Sequence, residues 1–420
     1  MELIPRCRDK VIRLVEKGVD IPNPLSIDLD EHVDPDRISG DGVRIEAGCR
    51  IFGAETVISS GVRLGSEGPV TVDNCQMGPG VELKGGYAGE ATFLDRSSMG
   101  LGAHVRRGCL LEEETSGAHC VGLKQTILFP FVTLGSLINF CDCLMAGGTS
   151  RRNHSEVGSS YIHFNFTPDG EKTTPSLIGD VPRGVMLNRR PIFLGGQGGM
   201  VGPCRVEYGN VVAAGTILRR DLPAEDKLFV GASPRGGLFG FVPRVYAGSG
   251  KVIEKNIRFL ANLVALEQWY EHVRRPFLEG REFGGLIYTG ARKRLSSAKS
   301  ERIKRLRAMV RNMNESSPGM SDEEEGLNRG RRELIERFDE IAMLFETEAS
   351  EEAAERDREV FLQSINESLE QGISYLEAVR TISRDVSDMG TRWLQGVVDD
   401  LCGRTASLVP DLRIFRHRDD

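Results

Sequence analysis

The sequence predicts a mainly β chain, a parallel β-helix of hexapeptide repeats with a C-terminal α-helical domain, and three observations carry that expectation. Aliphatic residues return every six positions between residues 42 and 222. The purest run is Leu194, Met200, Val206, Val212 and Leu218; Phe93, Met99, Val105 and Leu111 repeat the spacing, as do Ile45, Ile51 and Val57. Glycine makes up 49 of 420 residues, about 12% against the ~7% usual in proteins, and most of it precedes residue 250. Beyond residue 251 the spacing becomes that of amphipathic helices. A helix repeats every 3.6 residues and a strand every 2, so neither gives a strict six with glycine and small polar residues between. A three-sided coil does. Each hexad supplies one short strand and one turn, its aliphatic residue points inward, and stacked coils bury one another's apolar edges. Gly108 and Gly209 fall where such turns need a positive φ or no side chain.

In chain order, residues 6–17 read as a short amphipathic helix on Val11, Leu14 and Val15, closed at Gly18. The following GVDIPNPLSIDL is extended, because its prolines forbid helix. The expected division is a linker helix over 1–25, a β-helix with inserted loops over 26–245, a connecting helix over 246–290 and an α-helical domain over 291–420. Residues 85–91, 147–160, 167–175 and 181–190 break the period and are expected to leave the prism as loops, which is where a rigid scaffold usually carries its sites. The glycine-rich GGQGG at 195–199 keeps the sixfold register and lacks a following helix, so it reads as tight coil turns whose amides could line a cofactor groove.

The connecting helix shows one face in Ile253, Ile257, Leu260 and Val264, extended by Trp269, Tyr270 and Val273 up to Pro276. Residues 292–311 hold nine Lys/Arg and one Glu. Acidic helices adjoin them, so intramolecular pairing is expected ahead of an RNA-binding arm. Leu334, Phe338, Ile341 and Phe345, then Phe361, Ile365 and Leu369, predict a long helix or helical hairpin, followed by shorter helices near 374–384 and 387–402.

A net charge of −7 argues against nucleic acid as a partner. No 18-residue apolar run and no signal-peptide pattern are present, so no membrane partner and a cytoplasmic location are expected. The nine cysteines include no CxxC pair. Cys49, Cys75, Cys109 and Cys204 sit among the hexads as small apolar fillers, and Cys141 and Cys143 share a strand face without a second ligand pair, so no metal is expected. A zinc site built on three converging histidines lacks its third member beside His154 and His163.

From about residue 10 to 235 the chain resembles the acetyltransferase half of the bacterial bifunctional N-acetylglucosamine-1-phosphate uridyltransferase / glucosamine-1-phosphate acetyltransferase. The segment MGLGAHVRRGCLLEE from Met99 looks like that family's stretch with a phosphate-binding Arg, which falls on Arg106. HFNFTPDGEK from His163 is similar to its sugar-holding C-N-Y-D-G-x-x-K loop. Asn165 keeps the Asn, Phe166 replaces the Tyr, and Lys172 matches the Lys if one residue is inserted. VAAGTILRRD from Val212 resembles the final coil, which meets acetyl-CoA. The resemblance implies a left-handed β-helix, a homotrimer with sites between neighbouring prisms, and acetyl-CoA as co-substrate. It implies an amino-sugar phosphate or nucleotide sugar as acceptor, with Ala213, Ala214, Arg219 and Arg235 on the coenzyme.

Departures qualify it. No glycine-rich nucleotide loop follows a first strand, and the chain begins at the linker helix, so uridyltransferase activity is not expected. Counting from Gly117-Ala118-His119 puts Asn139 where the family has its catalytic His and Ile127 on its phosphate-binding Lys, with Lys124 three residues away.

Moving an acyl group from a thioester to a sugar amine needs a base, oxyanion donors and cations for the sugar phosphate. The base candidates are His154, on an insertion flanked by Arg152 and Glu156, and His163, beside Asn165; an imidazole's ordinary pKa near 6.5 suits the task. Arg106 and Lys172 supply cations to which Arg151 and Arg152 could add, while His104 and His119 fall in regular hexads and read as structural. The competing expectation is a non-catalytic scaffold that binds sugar nucleotides or assembles, having lost the family's His.

Overall fold

The computed structural model describes residues 6–167, 169–232, 236–238, 240, 249–314, 322–346 and 354–415. Its first half winds as a left-handed parallel β-solenoid. The first face carries Asp28–Leu29, Arg50–Phe52, Val70–Asp73, Gly86–Gly89, Ala103–Val105, Ile162–Phe164, Gly199–Val201 and Ile217–Leu218. The second face carries Val57–Ile58, Gln76–Met77, Ala91–Phe93, Cys109–Leu111, Ser176–Ile178 and Arg205–Val206. Two long strands, Gly122–Leu128 and Asn139–Met145, turn the edge between these faces at Gln125 and Asp142, both at positive φ. The third face is a separate ladder from Arg44–Ile45 to Leu228–Phe229.

The sixfold residues behave as the spacing requires. Leu194, Met200, Val206, Val212 and Leu218 are buried, as are Phe93, Met99, Val105 and Leu111. One position slips. Ile58, not Val57, pairs with Met77 and continues the interior column, because the turn before it holds an extra residue. Val57 instead faces outward onto Leu94, Leu278 and Ile287.

The expected loops also need revision. Residues 85–91 stay in the prism, since Gly86–Gly89 pairs with Val70–Asp73 and Ala103–Val105. Small residues there disguise the hexad: a Cβ on Gly86 would lie 2.2 Å from the Ala103 carbonyl oxygen. Residues 147–160 leave only as an antiparallel hairpin of Gly148–Ser150 and Asn153–His154, after which Glu156–Val157 rejoins the third face. Residues 167 and 169–175 pair with no strand, and the 181–190 excursion opens with a single helical turn.

The helices are α1 (Arg8–Lys17), α2 (Val181–Gly184), α3 (Ser249–Trp269), α4 (Arg275–Glu279), α5 (Gly284–Asn314), α6 (Asp322–Glu346), α7 (Glu355–Glu370), α8 (Tyr375–Thr381) and α9 (Arg384–Leu408). A π-helical turn, Tyr270–Arg274, joins α3 to α4. The solenoid's first bridge, Asp20 with Arg44, lies inside the segment expected as linker, and α5 runs straight across the expected boundary at 290/291. Helices and solenoid share one core. The second face is covered, so outward Leu110, Ile127 and Leu144 are as buried as inward Leu111, Leu128 and Met145. Each such side chain contributes about 1.5–3 kcal/mol over an exposed one. Two-sided burial replaces alternation with consecutive apolar residues in QTILFPF and DCLMA.

Polar groups are trapped under this cover. The Tyr270 hydroxyl donates to Glu112 Oε1 at 2.6 Å, Arg274 pairs with Glu113, and the Arg274 guanidinium lies 3.6 Å from the centre of the Tyr375 ring. Burial pushes the Glu112 carboxyl up to about 7 against the pull of Arg274. The folded chain therefore holds this proton more tightly than the unfolded chain, whose carboxyl titrates near 4.5. The stabilisation is complete below the unfolded value and is lost as pH rises through about 7. Urea midpoints measured between pH 5 and 8 are expected to fall with pH more steeply for the wild type than for Glu112→Gln. Parallel curves would show that Glu112 is not held protonated.

Candidate functional site

Stacking in register turns the outward residues of the first face into columns. Tyr87, His104, Gly122, Asn139 and Ile162 form one. Two residues further along each strand, and so on the same side, stand Arg106, Lys124 and Cys141; the Arg106 amide donates to the Leu123 carbonyl at 2.9 Å. Gly122 leaves a notch between His104 and Asn139. A groove of about 470 Å³ opens here, lined by His104, Arg106, Gly122, Leu137 and Asn139.

Three cations, Arg106, Lys124 and Lys172, act on Cys141 beside it. Arg106 Nη2 lies 3.7 Å from the Cys141 sulfur, which in turn lies 3.7 Å from Asn139 Oδ1. Burial and the neighbouring Asp142 push the Cys141 thiol up, while the charges of Arg106, Lys124 and Lys172 pull it down. None of these three cations forms an ion pair among the described residues. The basic helix α5 behaves differently. Its Lys299 pairs with Glu267, Arg302 with Asp142 and Arg305 with Glu301, each at 2.6 Å, which is the intramolecular pairing its composition suggested. Cations without ion-pair partners among the described residues, on a face that the helices do not cover, have the chemistry to hold an anion.

The imidazole in the groove is His104. It is exposed, meets the Tyr87 ring edge-on at 5.0 Å, and has no hydrogen-bond partner among the described residues. The hexad reading set it aside as structural. The signal was present: a residue two before Arg106 on a strand must share its face.

The two expected bases are not there. His163 sits between outward Ile162 and Phe164, so alternation turns it into the prism. It is 2% exposed, with Nε2 2.8 Å from Ser176 Oγ, and burial pushes its pKa down to about 4. His154 lies on the hairpin, its Nδ1 2.9 Å from the Arg151 carbonyl. Arg151 fastens that hairpin to the Glu114 carbonyl and to Thr133 Oγ1, at the edge between second and third faces, which puts His154 across the prism from the groove. Ile127, where counting put the family's phosphate-binding Lys, is buried under the helices, while Lys124, three residues earlier, follows Leu123 just as Arg106 follows Leu123's register partner Val105.

Asn165 and Lys172 come to the edge beside Asp142. Asn165 Nδ2 donates to Asp142 Oδ2 at 3.4 Å, and the Lys172 charge reaches Cys141. Phe166 is exposed on the same loop. Ala213 and Ala214 lie at a turn leading into the first face, and Arg219 follows Leu218 on that face. Five strand steps of about 4.8 Å place Arg219 roughly 24 Å from Arg106. Arg235 lies outside the described residues.

No family model matches the chain. Its sequence is 28% identical to the bifunctional protein GlmU of Pelobacter propionicus over 213 residues, covering 50% of this chain and 41% of the relative. It is also 28% identical to that of Trichlorobacter lovleyi over 227 residues, covering 53% and 43%. The chain thus spans about two-fifths of the length of the curated relatives it matches. A solved structure of LpxA from Acinetobacter baumannii aligns with 57% of this chain and 82% of its own at 11% identity, with a TM-score of 0.17 that is too low to argue from. The resemblance read from the motifs is borne out by these relatives over half of the chain.

Three like charges this close repel one another. Replacing Lys124 by Met is expected to leave the ligand-free protein as stable as before or stabilise it by about 0.5–1 kcal/mol, because one of three repelling cations is gone. Chemical denaturation at low salt measures this. A loss above about 1 kcal/mol would mean that Lys124 is structurally paired.

Proposed function

We propose that the chain is an acyltransferase that moves an acetyl group from acetyl-CoA to the amine of an amino-sugar phosphate or nucleotide sugar. One observation carries the reading: three cations without ion-pair partners among the described residues lie beside an open groove that holds an imidazole without a hydrogen-bond partner among them. Arg106, Lys124 and Lys172 bind the acceptor's phosphate, and Asn165 and Phe166 lie against its sugar. His104 takes the proton from the acceptor ammonium. The freed amine attacks the thioester carbonyl carbon, the nitrogen of the tetrahedral intermediate gives its second proton to solvent, the carbon–sulfur bond breaks, and the departing thiolate receives the first proton back from the imidazole. Asn139 Oδ1 accepts from the Cys141 thiol at 3.7 Å, which leaves its Nδ2 free to donate to the developing oxyanion.

Ala213, Ala214 and Arg219 lie further along the same face and suit the coenzyme's tail. Leu101, Leu137, Ile162, Phe164 and Ile217 are exposed on or beside this face, which supports a homotrimer whose neighbouring prism closes the groove. A cytoplasmic location belongs to the same reading, as the compartment of acetyl-CoA and nucleotide sugars. Uridyl transfer is not assigned to these residues, and no metal enters the reaction.

Asn139, standing where the related enzymes are expected to carry histidine, favours a second reading: a scaffold that binds a sugar nucleotide without turning it over. Incubation with acetyl-CoA and a panel of amino-sugar phosphates separates the two. Turnover is expected, reduced at least about 10²-fold in His104→Ala, with the acceptor KM about tenfold higher in Arg106→Met. Ligand binding without turnover in the wild type would establish the scaffold.

A further inference from the structure

Among the described residues the loop carrying Asn165 and Lys172 pairs with no strand; within it the Gly170 amide donates to the Thr167 carbonyl at 3.0 Å and the Lys172 amide to Thr167 Oγ1 at 3.0 Å. Much of what fastens it comes from the helices. Arg302 of α5, 2% exposed, donates through Nη2 to Asp142 Oδ1 at 2.6 Å and through Nη1 to the Lys172 carbonyl at 3.3 Å. Asp142 gives its other oxygen to Asn165 Nδ2 at 3.4 Å. From α3, Asn256 Nδ2 donates to the Thr173 carbonyl at 3.2 Å. One guanidinium thus ties together the solenoid edge, the backbone of Lys172 and, through Asp142, the side chain of Asn165.

A buried ion pair gains little net stability over an apolar pair of the same volume, so stability alone is a weak reason for this arrangement. Its geometry suits another task. Asp142 sits at φ 62° on the edge next to Cys141, where the charges of Arg106, Lys124 and Lys172 converge. A loop held here keeps Lys172 close enough to act on Cys141 together with Arg106 and Lys124.

We infer that Arg302 is a positioning residue of the acceptor site, and that through it the helical domain holds the Asn165–Lys172 loop in its binding geometry. This rests on the acceptor site proposed above and adds the element that keeps it assembled.

The test compares wild type with Arg302→Met, Asp142→Asn and the double variant, by hydrogen exchange and by calorimetric titration with inorganic phosphate. Exchange in residues 165–175 is expected to rise about tenfold or more in Arg302→Met, with the solenoid strands unchanged, and phosphate affinity to fall about tenfold. Acceptor KM should rise by a similar factor while kcat stays within about threefold. If Arg302→Met does not fold, the double variant carries the same readouts, since it removes both buried charges together. Unchanged loop exchange and phosphate affinity in a folded variant would overturn the inference. A wild type that transfers no acyl group would defeat the proposed function, while exchange and phosphate binding would still decide the role of Arg302.

Discussion

Each coil must hide its apolar edge beneath the next, and this constraint orders the whole molecule. It fixes which residues point inward, and because the coils stack in register it also lines up those that point outward. A side chain's chemical fate then follows from its parity along a two- or three-residue strand. His104 and His163 are both histidines on first-face strands, yet one stands in open solvent beside Arg106 and the other is sealed against Ser176 and Phe140. The same rule separates Lys124, above Arg106, from Ile127, three residues later and around the edge beneath the helices.

The helical domain changes the rule on one side only. Where α3 to α5 cover the second face, both parities are buried, and the edge groups that remain polar are matched by partners from the helices: Glu112 by Tyr270, Glu113 by Arg274, Asp142 by Arg302. The first face keeps solvent access and unpaired charge. The asymmetry between a covered face and an open one separates the part of the solenoid that stabilises the chain from the part available for chemistry.

Much of the architecture was legible in the sequence. The interior columns follow from the sixfold spacing, and the helices follow from the change of period after residue 251. Hexads built on small residues, such as Gly86–Gly89, could not be seen, because their inward side chain contributes little hydrophobicity to a periodic count. The candidate site was half legible. Arg106, Asn165 and Lys172 converge as the motifs suggested, and Asn139 lines the groove. His154 and His163 stand apart from the groove because proximity to Asn165 in sequence says nothing about parity, and because an insertion can leave the prism at any of three edges. Arg302 could not have been found by motif at all, since a position 160 residues beyond Asp142 reaches it only by the packing of α5.

The covered face has a consequence for how the chain is made. Synthesis delivers the solenoid before α3 to α5, and until they follow, Val57 and the ladder of Leu110, Ile127, Leu144 and Leu177 are without their cover along one flank. An apolar strip left bare in that way favours adhesion between half-made copies, so the helices shield their own protein much as a chaperone would.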